Sequence, residues 1–224
     1  MKKYLTFTNG NKIELANIYA VASNYSKHAK EMGTTIPDEP VIFLKPSSSY
    51  IPTGGTILLP KISNEVHHEV ELVVAIGKDG YNVATEEAYK YIAGYAVGID
   101  VTLRDLQRKA KTDGKPWGIA KGFYTSAPIS NFVPADAFGK EIPNFDLLLA
   151  VDGEVRQKAN TSTMERSVAE LVSFISKIFT LNEGDCIFTG TPDGVGKILP
   201  GNQIYAELTG YVSLTCYVDN NLWS

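Results

Sequence analysis

The sequence predicts an α+β domain that is mostly β, of mixed topology, with a few short helices. Short apolar runs rich in Val, Ile, Leu and Tyr outnumber helical patterns along the 224 residues. Asn9-Gly10 and Asp152-Gly153 each separate two such runs, and these dipeptides favour the two-residue turns of β-hairpins. The runs do not alternate regularly with helices, so a parallel βαβ sheet is not expected.

Taken in order, the first hairpin joins Tyr4–Thr8 to Lys12–Leu15, and Ile18–Ser23 follows as a third strand. Ser26–Gly33 reads as a short helical turn that stacks His28 over Glu31. Val41–Lys45, Thr56–Leu59, Glu69–Ile76 and Gly94–Ile99 are the next strands, with a helix over Glu86–Ala93 after a Thr85 cap. A second helix, Leu103–Lys111, follows Thr102. Phe132–Phe145 is a proline-containing connection. Asp146–Val151 and Glu154–Gln157 form the second hairpin. A third helix is expected over Met164–Ile178, because Ser162-Thr163-Met164-Glu165 has the pattern of a capping box. Its Val168, Leu171, Val172 and Ile175 recur at helical spacing. Cys186–Thr189, Gln203–Leu208 and Val212–Val218 close the list of strands. One domain over 1–224 is expected, with a small N-terminal segment (1–36) and a core (37–224).

Composition narrows the function. A net charge of −4 with no basic cluster gives no footprint for nucleic acid or an anionic membrane. No apolar run is long enough for a membrane span or a signal peptide. Cys186 and Cys216 have no CxxC spacing and read as buried reduced thiols, which suggests a cytoplasmic protein.

The most informative stretch is His67-His68-Glu69-Val70-Glu71-Leu72-Val73-Val74-Ala75-Ile76-Gly77. Glu69 and Glu71 point to the same side of a strand, roughly 6.6 Å apart at about 3.3 Å per residue. Carboxylates in an apolar element call for a metal, a basic partner or an exposed face. Asp100 ends the apolar run Gly94–Ile99 and stands either as a third oxygen ligand or as a helix cap. Three carboxylates favour Mg²⁺ or Mn²⁺. His67 shares the glutamate face by alternation, which leaves zinc or iron as a rival. Arg104 and Gln107 lie on one helical face, and Lys121 sits in the mostly apolar Trp117–Tyr124 run, as a site cation or a snorkelling surface lysine. His28 with Glu31 is either a general-base pair or a surface pair. Thr189–Gly196 lacks the spacing of a Walker A loop, yet its backbone and Thr191 hydroxyl suit a carboxylate.

In this order, His-His-Glu-Val-Glu-Leu, Gly-Ile-Asp with Arg104 and Gln107, Ala-Lys-Gly-Phe and Thr-Gly-Thr-Pro-Asp-Gly-Val-Gly resemble the fumarylacetoacetate hydrolase superfamily, in its small acylpyruvase and oxaloacetate decarboxylase branch. The resemblance runs from Ile18 to Val218. It implies a mixed β-sheet roll of the family's C-terminal-domain type, a homodimer, and one Mg²⁺ or Mn²⁺ per chain on Glu69, Glu71 and Asp100. It implies that His28 and Glu31 form a lid dyad that activates water, and that Lys121, Arg104 and Gln107 stabilise an oxyanion. Thr191, with Gly190 beside it, would contact the substrate carboxylate. The expected reaction is hydrolysis of the C3–C4 bond of a 3-acylpyruvate. Oxaloacetate decarboxylation or keto–enol isomerisation is the alternative, and a non-catalytic 2-oxo acid or metal-binding protein the rival of another class. One departure is Val21-Ala22-Ser23 before Asn24-Tyr25, where the family more often has a glycine-containing run.

Overall fold

Every residue of Val70–Ile76 is buried, as its apolar run requires, and this strand lies near the middle of an eight-stranded sheet. The computed structural model describes residues 2–220, so residues 1 and 221–224 of the expected domain fall outside it. In spatial order the sheet runs Val41–Lys45, Ile18–Ala22, Cys186–Phe188, Val70–Ile76, Ile92–Ile99, Ala127–Ile129 and Tyr50–Pro52, with Val133–Pro134 also paired to Ile92–Ile99. Parallel and antiparallel pairs are mixed: Ile18–Ala22 runs parallel to Cys186–Phe188 and antiparallel to Val41–Lys45. A second sheet of five strands runs Glu154–Asn160, Asp146–Val151, Gln203–Leu208, Val212–Asn220 and Thr56–Leu59. Leu72, Val74 and Val97 of the first sheet and Leu147, Leu149 and Ile204 of the second share one apolar core. Such a core between two sheets is what alternating strands with one inward face produce. The mostly-β class with few short helices is therefore what the chain adopts.

Both hairpins form, the second with the expected two-residue turn and the first with a longer loop, since its strands Tyr4–Thr6 and Lys12–Glu14 end at the Thr6–Lys12 pair. Asp152 (φ 50°) and Gly153 (φ 82°) take the left-handed backbone that a tight hairpin turn demands. Helices depart from expectation in instructive ways. Glu86–Ala93 is instead a 3₁₀ helix over Thr85–Tyr91, with Ala84 preceding it and Ile92 already in the next strand. The helix after Thr102 covers Arg104–Thr112 (α2), and Leu103 precedes it without any side-chain cap. After a short helix over Gly118–Lys121 (α3), the helix expected at Met164 begins at Val168 instead (Val168–Ile178, α4). A second capping box, Ser167 with Glu170, lies five residues after Ser162 and directly before the apolar stripe, and it is the one that closes. Residues 161–163 form a separate 3₁₀ turn capped by Asn160. Strands too short to show periodicity, such as Tyr50–Pro52, Val66–His68 and Gly196–Lys197, emerge only in three dimensions. Among the described residues no helix is long and apolar enough to cross a membrane.

Candidate active site

Glu69 occupies the step between the strands Val66–His68 and Val70–Ile76, outside the continuous strand expected from sequence. Antiparallel pairing sets Val70 opposite Ile99, so Glu69 and Asp100 meet just beyond the pair. The Asp100 amide donates to the Glu69 carbonyl at 2.8 Å and fixes that meeting. Glu71, opposite Gly98, adds the third carboxylate. Ligand oxygens of Glu69, Glu71 and Asp100 all lie within 4.8 Å of one another, and the three residues are at most 4% exposed. The exposed-face alternative is thereby removed.

A basic partner and a metal site turn out not to exclude each other. Lys121 Nζ lies 2.7 Å from Glu69 Oε2, donates to the Thr102 hydroxyl at 2.7 Å and also pairs with Asp100. Lys45 Nζ lies 2.7 Å from Asp100 Oδ1, and Arg104 pairs with Glu69. Three cations thus face three carboxylates away from water. Burial alone would raise Glu69, but Lys121 and Arg104 outweigh it and hold that carboxyl well below the usual range. Glu71 goes the other way: burial, then the neighbouring Asp100 and Glu69 charges, lift it well above the usual range.

The donor set fits a divalent ion. Three buried carboxylate oxygens gathered in this way, with no sulfur or nitrogen donor among them, are the hard donor set that Mg²⁺ or Mn²⁺ takes. Asp100 Oδ1 lies 2.7 Å from the Lys45 ammonium, so a metal ion would share that oxygen's charge with the lysine. His67 does not join; its ring lies 3.2 Å from Glu65, and the carboxylate group contains no nitrogen donor, which removes the basis for zinc or iron.

Helix α1 (Ser26–Glu31) delivers His28 into the same cleft. His28 Nδ1 lies 3.1 Å from Glu31 Oε2, so the pair is formed, with His28 buried (8% exposed) and Glu31 toward solvent. Glu31 also accepts the Gly194 amide at 3.2 Å, which ties α1 to the glycine loop. Gly194 has φ +91°, and a Cβ there would stand 2.3 Å from the Arg156 carbonyl, so only glycine fits. Asn24 anchors the segment before α1 by donating to the Thr189 and Arg166 carbonyls and accepting from the Arg166 amide. In the run before Asn24-Tyr25, Ser23 holds a left-handed φ of 58°.

Arg104 and Gln107 are buried, hydrogen-bonded to each other at 2.6 Å, and line the cleft as expected. Lys121 also lines it, but its ammonium is engaged by the carboxylates instead of standing free for an oxyanion. Gly190 needs correction too: its amide donates to Glu71 Oε2 at 2.6 Å and so orients a ligand carboxylate. Thr191 reaches the cleft, its hydroxyl oxygen accepting from Gln157 Nε2 at 2.9 Å, which leaves the O–H to donate.

Two residues were missed. Lys45 looks in sequence like the polar end of a strand, yet it is 2% exposed. Gln157 reads as one more residue of a hairpin strand. Its carbonyl oxygen accepts from the Val70 amide at 3.0 Å and contacts His68 Nδ1 at 2.9 Å, the residues on either side of Glu69. Its amide nitrogen holds Thr191 and the Pro192 carbonyl. A single buried glutamine therefore joins the Glu69 step to the Thr191 loop. A polar residue in an otherwise ordinary strand was the only available signal.

A sequence model of the fumarylacetoacetate hydrolase C-terminal family matches residues 17–219. The chain belongs to this family. It is 49% identical over 91% of its length to the oxaloacetate tautomerase FAHD1 of Arabidopsis thaliana, covering 89% of that protein. It is 47% identical to the oxaloacetate decarboxylase of Dictyostelium discoideum, over 86% of this chain and 88% of that one. The crystal structure of fumarylpyruvate hydrolase from Pseudomonas aeruginosa, with Mn²⁺ and pyruvate, superposes with a TM-score of 0.92 at 38% identity, covering 98% and 97% of the two chains. These findings make the chain similar to enzymes of the family, and its carboxylate group is compatible with a divalent metal. They correct the cytoplasmic expectation, because the Arabidopsis thaliana, Mus musculus and Homo sapiens relatives are mitochondrial proteins by name. Cysteine usage reports a redox environment and carries no address.

Proposed function

We propose that this protein is a divalent-metal-dependent enzyme that interconverts the keto and enol forms of oxaloacetate. The observation that carries the reading is the junction of the Glu69–Glu71–Asp100 group and the His28–Glu31 pair in one cleft. Relatives named as oxaloacetate tautomerases and decarboxylases direct the choice of substrate. A Mg²⁺ or Mn²⁺ ion held by Glu69, Glu71 and Asp100 supplies Lewis-acid polarisation of the 2-oxo acid.

The chain's own residues do the rest. Glu31 orients His28 through Nδ1, and Nε2 removes the C3 proton. The C–H electron pair becomes the C2–C3 double bond, and the C2 oxygen takes up charge. The His28 imidazolium then delivers that proton to the C2 oxygen, which completes the enol, while Lys121 holds the carboxylate centre together. Arg104 and Gln107 hold the enolate charge, and Thr191 donates to the C1 carboxylate. Gln157 keeps Thr191 and Glu69 in register.

Hydrolysis of a 3-acylpyruvate is the second reading, favoured by the fumarylpyruvate hydrolase neighbour and by a His–Glu pair able to activate water. We also infer a homodimer: the edge strand Val41–Lys45 leaves Val41 and Leu44 exposed beside Trp117, a surface a second copy would cover. The test of function follows enol absorbance and pyruvate release with Mg²⁺, with Mn²⁺ and with a chelator. Rapid metal-dependent decay of the oxaloacetate enol, with acylpyruvate cleaved slowly, is expected. Tight metal binding with no turnover of any 2-oxo acid would leave a binding protein.

A further inference from the structure

Helix α2 sets Arg104, Gln107 and Lys111 on one face at spacings of three and four. The first two are buried at the floor of the cleft; Lys111, a turn further along, lines its mouth beside Phe43 and Trp117. Its Nζ stands 5.0 Å from the centroid of the Trp117 ring, which places the ammonium over an aromatic face. The helix's outward cations have carboxylate partners: Arg108 meets Glu65, and Lys109 meets Asp113 at 3.5 Å. Among the described residues no carboxylate oxygen lies within 4.0 Å of Lys111 Nζ. The cations of Arg104 and Lys121 reach it instead, adding to the effect of burial in drawing its pKa down.

Charge at the mouth is therefore unbalanced. The buried centre matches three carboxylates with three cations, so a divalent ion and Lys111 together leave an excess of positive charge. An anion bound by its 2-oxo acid end at the floor would extend its other end toward Phe43, Trp117 and Lys111. We propose that Lys111 is a specificity-determining residue that pairs with the distal carboxylate of a dianionic 2-oxo acid. An uncharged acyl tail would meet the same two aromatic walls and gain nothing from the ammonium. This rests on the reading above that the carboxylate centre binds the 2-oxo acid end, and it decides between oxaloacetate and monoanionic acylpyruvates whose acyl tail is uncharged.

Binding of inert chelating acids tests it apart from turnover. Malate and 2-hydroxybutyrate have the same four-carbon chain and differ by the distal carboxylate. Calorimetry on the Mn²⁺-loaded protein is expected to show malate binding at least about tenfold tighter, equivalent to about 1.4 kcal/mol. Lys111→Met should erase that preference while leaving 2-hydroxybutyrate affinity unchanged, and Lys111→Arg should keep most of it. An equal preference in the wild type and Lys111→Met, or loss of both ligands together, overturns the assignment. A wild type that binds both acids equally overturns it while the oxaloacetate reading stands. A Lys111-dependent malate preference without oxaloacetate turnover supports the assignment and removes the oxaloacetate reading.

Discussion

Replacing His28 by Ala should cut metal-dependent oxaloacetate tautomerisation by 10²- to 10⁴-fold, the usual worth of a positioned general base. That loss corresponds to about 3 to 5 kcal/mol of barrier. The change should fall on kcat, because the carboxylate group and the Arg104–Gln107 pair are built without the imidazole. Mn²⁺ affinity should be unaltered. Glu31→Gln should give a smaller loss, since it leaves the imidazole in place and removes the charge that orients it. Acylpyruvate cleavage should fall with tautomerisation, whereas decarboxylation needs neither an attacking water nor a C3 base and should largely survive. Steady-state kinetics of the three reactions on one preparation make the comparison. Equal loss of all three would remove the proton-transfer role from His28.

Lys45→Met is expected to destabilise the metal-free protein by about 3–5 kcal/mol, the range for breaking a buried ion pair on one side. The ammonium of Lys45 is the partner of Asp100 Oδ1, donates to the Ser126 hydroxyl at 3.1 Å and also bonds the Lys121 carbonyl. Burial draws its pKa down and Asp100 offsets part of that, so the lysine is held by its partner at a real cost. Methionine fills similar space but leaves Asp100 with Lys121 alone. A bound divalent ion would supply the missing charge, so saturating Mn²⁺ should recover part of the deficit by mass action. Denaturant melts of both proteins with and without Mn²⁺ measure it. A deficit under about 1 kcal/mol, or one indifferent to metal, would contradict the electrostatic account.

The centre of the fold and its carboxylates are visible in the sequence for one reason. Acidic residues inside an apolar run are expensive, so Glu69, Glu71 and Asp100 stand out against Val70–Ile76 and Gly94–Ile99. His28 and Glu31 are equally visible, being three apart on a helical turn. Lys45 and Gln157 are not, because each resembles a surface residue of a strand until its partners arrive from distant parts of the chain: Asp100 and Ser126 for one, His68, Val70 and Thr191 for the other. The misplaced start of α4 has a local cause, two neighbouring Ser-x-x-Glu patterns between which only tertiary packing of the apolar stripe decides. The break at Glu69 is likewise invisible, since a strand that stops and resumes keeps its hydrophobic pattern.

A Mn²⁺ titration of the wild type and Asp100→Asn, run at several pH values, tests the shared metal site most directly. Glu71, lifted above the usual carboxylate range, favours the metal-free fold below its ordinary pKa, and that contribution is lost as pH rises through the raised one. Metal must displace the Glu71 proton, so affinity should climb with pH across that window and protons should be released. The account predicts one Mn²⁺ per chain in the wild type, and at least about 100-fold weaker binding in Asp100→Asn because a ligand is lost outright. Undiminished binding in Asp100→Asn, or no stoichiometric ion in the wild type, would contradict it.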